Sequence, residues 1–368
     1  MRQIAKREPH LISLLRAASQ RQGNLTLGIF DEAQIRWIIE TGLGPLLFYT
    51  MKAGIGELSS QLRPLLQGAD LTARMLTAEH LDAMCEIVDA CEGRVPPLTL
   101  LKGISICRQY YPQPHLRTMR DIDFLVENAA LPSVETILLA LGYRQQSQIP
   151  HAFWQKHHHS MPFFHSQRGI WVEVHRGLVS AKSGLGGDNV FSPENVKTQL
   201  RPSEFQGRKV TRLSDELQVV YIASHWARDF KFIGGMVAFL DMIYLWNNKS
   251  GKLDWDQILK WSSGSVASTY LYLFLSYLDK YRLIDISPKI LNELFLRQRS
   301  FGKVNLRIAH SLIDRYLVEG RNCGKRFALR NCALLWEALL YARPPLLNLA
   351  LAPWKLLLPR RLKNRLQA

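Results

Sequence analysis

Two carboxylates one residue apart on an apolar run carry the strongest chemical signal in this chain. In DIDFLV a strand turns Asp121 and Asp123 to one face and Ile122, Phe124 and Val126 to the other. Like charges held side by side in apolar surroundings are costly unless a cation neutralises them, so the pair points to a divalent metal. A third acid, Glu173 in WVEVHRGL, lies between Val172 and Val174 and repeats the pattern. Mg²⁺ (or Mn²⁺) suits an all-oxygen ligand set that leaves positions for water and substrate phosphates. Three acids on two strands can hold two such ions, one acidifying an attacking hydroxyl and one steadying a triphosphate and its leaving pyrophosphate. Glu173 then serves the nucleophile side, as metal ligand or base. A lone D-x-D arises often on surface strands; the acid downstream and LKG upstream make this one specific.

That upstream part, LLKGIS, reads as a strand ending in Gly103 before a helix whose free amides can receive a phosphate. Glycine lets backbone approach a ligand closely. Lys102, Arg117 and Arg120 lie in the same stretch, to bind phosphate oxygens or to compensate the carboxylates. Arg120 adjoins Asp121 and is expected to point away, which favours Lys102 and Arg117. His175, two residues from Glu173, shares its face and is a candidate for the site's edge. The run His157, His158, His159, with His151 and His165 near, invites a zinc reading. A strand there would send His158 to the face opposite His157 and His159, and no acid or Cys stands at ligand spacing, so the pattern argues against zinc.

The elements that must position these groups follow from periodicity. The first ninety or so residues read as helices, with apolar residues recurring at three and four and with Asp31 and Thr72 as plausible caps. From Arg94 the pattern changes. VPPLTLLKG suits a buried strand, then come a helix over Ile104 to Tyr111, the loop PQPHLRTMR, the strand DIDFLV and the helix LPSVETILLALG. HHHSMPFFH and IWVEVHRGL form a hairpin turning at Gln167 to Gly169. After Leu213 helices return, SDELQVVYIASHWARD with Ser214 as a cap, then GGMVAFLDMIYLWNN and WDQILKWSS. The expected division is a helical region 1–93, an α/β core 94–213, a helical region 214–342 and a basic apolar tail 343–368.

At 368 residues and 47% hydrophobic content the chain can bury a substantial core, and no bias towards disorder, collagen or coiled coil is present. A formal charge of +16 draws polyanions: nucleic acid, anionic lipid or polyphosphorylated ligands. Part of that excess belongs to the tail, since Arg321 to Ala368 holds ten Lys or Arg against the single acid Glu337. Five cysteines without a CxxC pair read as reduced thiols, and neither a secretory leader nor a membrane-spanning run is apparent, so a cytoplasmic location is expected. The segment PPLLNLALAPWKLLLPRRLKNRLQA, with Trp354 between two prolines and five basic residues after Leu351, suits either a packed tail or peripheral contact with an anionic membrane surface.

LLKGISICRQYYPQPHLRTMRDIDFLV, then LLALGY, then WVEVHRGL, resembles the uncharacterised nucleotidyltransferase family within the polymerase-β-like superfamily, over most of the chain. The resemblance implies an α+β fold with a mixed sheet, flanked by N- and C-terminal helical regions. It implies D-x-D plus a third acid as metal ligands, an NTP such as ATP as donor, and Lys102, Gly103, Ser105 and Arg117 at the phosphates. Where many relatives carry Gly-Ser or Gly-Gly before the helix, Ile104 follows Gly103 here and Ser105 comes one place later. A later helix with His225, followed by Asp241, also matches, for a structural hydrogen bond or a role at the nucleotide. The expected reaction moves an NMP group to an acceptor hydroxyl on RNA, protein, sugar or a small metabolite. A closed pocket lined by Trp226 or Trp246 favours a small acceptor and a basic groove favours RNA. The rival reading is a catalytically inactive adaptor of the same fold that binds nucleic acid or an anionic membrane surface.

Overall fold

The computed structural model of the protein describes residues 10–19, 30–53, 60–155, 157–181, 184–229, 235–263, 265–298 and 303–314. The tail, with Trp354, Cys323 and Cys332, lies outside them. Among the described residues no helix is long and apolar enough to cross a membrane.

The architecture is α+β, built on one mixed sheet. Its strands are β1 (Thr99–Leu100), β2 (Asp121–Leu125), β3 (Arg144–Gln145), β4 (Phe163–His165), β5 (Ile170–His175), β6 (Leu200–Phe205) and β7 (Arg208–Leu213), in the order β3-β4-β5-β2-β1-β7-β6. The β2–β5 and β1–β7 pairs are parallel and the others antiparallel. Alternation along β2 and β5 divides the sheet. Ile122, Phe124, Val172 and Val174 are fully buried in one apolar cluster with Val134 and Leu138 of the helix Leu131–Ala140 and Met84, Ile87 and Val88 of the helix Arg63–Cys91. The other face carries the acids and looks towards a second cluster, in which N-terminal helices such as His10–Ala18 and Gly44–Lys52 pack with the helices after Leu213.

Local chemistry sets several boundaries. Asp31 caps the helix Glu32–Glu40 with a full capping box to Gln34, and the Ser214 hydroxyl receives the Leu217 amide at the start of Asp215–Asp229. Thr72 caps nothing, because it falls inside the 29-residue helix Arg63–Cys91. Within the polar Gln67–Asp70 stretch Asp70 is buried and pairs with Arg74 and His115, and the apolar stripe resumes at Ala73. The strand in VPPLTLLKG is only two residues long, and its helix begins at Lys102, ahead of Ile104. The β6–β7 hairpin was not foreseen: its partly exposed strands show no clean alternation, and its only strong mark is the turn at Gln206 (φ 49°) and Gly207 (φ 82°).

Candidate active site

Parallel pairing of β2 with β5 sets Asp123 directly beside Glu173, and His175 follows on the same face. Asp123 is almost fully buried, yet it is the best satisfied of the acids. The Lys102 Nζ and the His175 Nε2 both donate to its Oδ1 at 2.8 Å, leaving Oδ2 outside either bond. Glu173 Oε2 stands 3.6 Å from His175 Nε2 and 3.9 Å from both Lys102 Nζ and His159 Nε2. Donor atoms of Asp123, Glu173 and His175 lie within 4.8 Å of one another, a spacing at which one cation can be held.

The protonation balance follows from these contacts. Burial alone would raise Asp123, but Lys102 and His175 outweigh it and hold the carboxyl far below its usual range. Burial likewise raises Glu173, and the neighbouring His175 reverses the sign. Lys102 and His175 are both held up by the acids against the effect of burial. His159, with burial dominant, is pushed down. Asp121 is the exception. It makes no hydrogen bond among the described residues, and burial together with the Asp123 charge pushes it up to about 7. One acid is therefore in excess, and a divalent cation among Asp121, Asp123 and Glu173 would relieve it; the hard carboxylate donors fit Mg²⁺.

Lys102 reaches the acids from an unusual backbone position. Its φ is 45°, in the left-handed region, a conformation costing roughly 1–2 kcal/mol for a residue with a side chain. Gly103 is also constrained: a Cβ there would stand 2.7 Å from Met119 Cγ and 3.3 Å from Arg117 Nη1. Its lack of a side chain serves packing beneath the cavity as well as access to it.

These groups open on a cavity of about 600 Å³ whose walls come from separate stretches of the chain. Glu40, Thr41 and Gly42 contribute the turn after the first capped helix; Gln218, Tyr221, Ile222, His225 and Trp226 contribute one stripe of Asp215–Asp229; Asp241 comes from the next helix. Gly42 (φ 83°) fits because a Cβ would stand 2.5 Å from Thr118 Oγ1.

Of the residues singled out in sequence, Lys102, Gly103, Arg117, Asp121, Asp123, Glu173, His225 and Asp241 line this cavity, and His175 supports it from behind. Ser105 does not reach it. It is buried one turn into the helix and accepts a hydrogen bond from Gln109. Arg117 is committed elsewhere, since its Nε and Nη2 grip Asp241 at 2.8 and 3.0 Å and Tyr111 donates to the same carboxylate at 2.6 Å. Asp241 thus acts in a structural ion pair. Arg120, expected to point away, is exposed at the cavity instead and makes no ion pair with a described residue. Gln218 and Tyr221 were missed, although with Ile222 and His225 they follow the i, i+3, i+4, i+7 stripe of a single helix face. Trp226 lines the cavity; Trp246 is buried outside it.

The model of the family described as uncharacterised nucleotidyltransferase matches residues 31–281, more than half of the chain. The chain belongs to this nucleotidyltransferase family. Comparisons with curated proteins and with solved structures find no match. The matched span takes in both walls of the cavity, from the Glu40–Gly42 turn to beyond Asp241.

Proposed function

We propose that this family member transfers a nucleoside monophosphate from an NTP to a hydroxyl of a small acceptor. The observation that carries the reading is the Asp123–Glu173 pairing, with Asp121 in excess, in the lining of a cavity of about 600 Å³. Asp121, Asp123 and Glu173 would hold Mg²⁺ or Mn²⁺, which when bound neutralises the triphosphate and acidifies the acceptor hydroxyl. The chain's own residues do the rest. Lys102 and Arg120 meet phosphate oxygens, and amides at the start of the helix Lys102–Gln109 face the same charge. Arg117, through Asp241, holds the helix Gly235–Lys249 against the loop before β2 and so shapes the pocket.

In the reaction an acceptor oxygen attacks the α-phosphorus, the bond to the β-phosphate oxygen breaks and pyrophosphate leaves. The acceptor's proton passes to a carboxylate, Glu173 in this reading. Trp226 and Tyr221 give the cavity apolar walls suited to a nucleobase or compact acceptor more than to a polynucleotide. The protein is read as cytoplasmic, and contact of the basic tail with an anionic membrane remains part of the proposal.

Calorimetric titration of ATP and each other NTP, with and without Mg²⁺, tests this on the wild type and the Asp121→Ala, Asp123→Ala double variant. Binding that needs both magnesium and the aspartates is expected. If no nucleotide binds, the enzyme reading fails and the adaptor reading replaces it.

A further inference from the structure

Three consecutive histidines beside this site converge in a way a strand would forbid. His157 and His158 lie in a bend after the short helix His151–Trp154, and only His159 pairs with β5, in a single bridge to His175. The bend is anchored: the His158 carbonyl accepts the Arg176 amide at 2.8 Å, and the Ser160 amide donates to Val174 at 2.9 Å. Released from strand alternation, the rings turn together, with centroids 4.2 Å (157–158), 4.3 Å (157–159) and 4.7 Å (158–159) apart. One ring nitrogen of each lies within 4.8 Å of those of the other two.

From this convergence we infer that His157, His158 and His159 form a zinc site with its own ligands, beside the carboxylates and independent of the nucleotidyl-transfer reading. Imidazole donors suit Zn²⁺ and its late transition-metal neighbours, whereas Mg²⁺ prefers oxygen. Nitrogens on one tetrahedral zinc stand roughly 3.3 Å apart, so the rings need close by at most about 1.5 Å. One of the three is already set for metal. His159 Nδ1 donates to the Ser160 carbonyl at 2.8 Å, so its Nε2 carries the lone pair, the arrangement usual for a ligating histidine. Trp154 packs on His157 and His159, with centroids 5.4 and 5.1 Å away, and limits ring rotation. His158 and His159 line the cavity, so three protein ligands leave a fourth position towards Glu173, whose Oε2 is 3.9 Å from His159 Nε2.

The test uses tag-free full-length protein, stripped with chelator and held in excess Mg²⁺ so that the carboxylates are occupied. Co²⁺ is then titrated as a spectroscopic stand-in for zinc. The wild type should bind one Co²⁺ with the intense visible bands of tetrahedral coordination, displaced by Zn²⁺. His157→Ala, chosen because His157 is half-buried, should weaken binding at least 100-fold, and Asp123→Asn should leave it unchanged. Far-UV circular dichroism checks the fold, and His157→Asn replaces the alanine variant if that one fails to fold. The proposal is overturned if the wild type binds no Co²⁺, if the His157 variants bind like wild type, if Asp123→Asn abolishes binding, or if a sulfur-to-cobalt charge-transfer band assigns the ion to cysteine.

Discussion

At the sheet end of the cavity three carboxylates, Asp121, Asp123 and Glu173, face one lysine and one histidine, whereas on the helical wall Arg117 meets Asp241 with one base for one acid. The wall cluster is complete. Both Asp241 oxygens are engaged by Arg117, the Tyr111 hydroxyl adds a third bond, and burial with the Asp241 charge keeps that tyrosine protonated, well above its usual range. The sheet cluster is not complete, because Asp121 has no hydrogen-bonding partner among the described residues and is pushed up to about 7 by burial and by Asp123. Two buried charge groups lining one cavity thus differ in kind. A balanced set locks elements together; a set with surplus negative charge is one that a cation would complete.

The comparison breaks first at Asp123. Asp123→Asn should reduce turnover by three orders of magnitude or more, about 4 kcal/mol of transition-state stabilisation, with the thermal midpoint close to wild type. Near-normal turnover would show that the surplus charge is not catalytic. The opposite signature is expected on the wall. Asp241→Ala strands a buried guanidinium and should cost about 3–5 kcal/mol of stability in chemical denaturation, most of it recovered in the apolar pair Arg117→Met with Asp241→Leu. A loss of nucleotide affinity without a loss of stability would instead give Asp241 a place at the ligand.

A smaller effect sharpens the contrast through pH. An acid raised from its unfolded value to about 7 binds its proton more tightly when folded, so its contribution is present at low pH and lost as pH rises through 7. His175, raised by Asp123 and Glu173 against burial, has the same sign. In metal-free protein the stability difference between wild type and Asp121→Asn should therefore fall by about 2–3 kcal/mol from pH 5 to pH 8. Saturating Mg²⁺ should reverse that slope, and a flat difference would remove Asp121 from the surplus. The smallest change expected is Gly103→Ala, which crowds Met119 and should cost about 1–2 kcal/mol in a melting experiment, with a modest rise in KM.

How much of this was legible depended on the range of the interaction. Period-two alternation placed Asp121, Asp123, Glu173 and His175 on one face, and the i, i+3, i+4 pattern located the helices on either side of the core. Alternation failed at His157–His159, where a bend anchored by β5 replaces the strand, and at Thr72, where long-range packing runs a helix through a capping residue. Alternation puts Arg120, next to Asp121, on the face away from the acids and so favours Arg117. The fold reverses their placement: Asp241, 124 residues away, claims Arg117, and Arg120 is exposed at the cavity.

The chain's own pattern was enough to determine the acids, their shared face and the mixed α+β order, since these rest on side-chain type and on contacts a residue or a turn away. Only the tertiary structure decided which basic groups are spent and which remain at the cavity, that Ser105 is withdrawn from it, that Gln218 and Tyr221 wall it, and that three histidines meet. Those outcomes depend on which distant carboxylate, helix or strand packs nearby, and local periodicity carries no record of that.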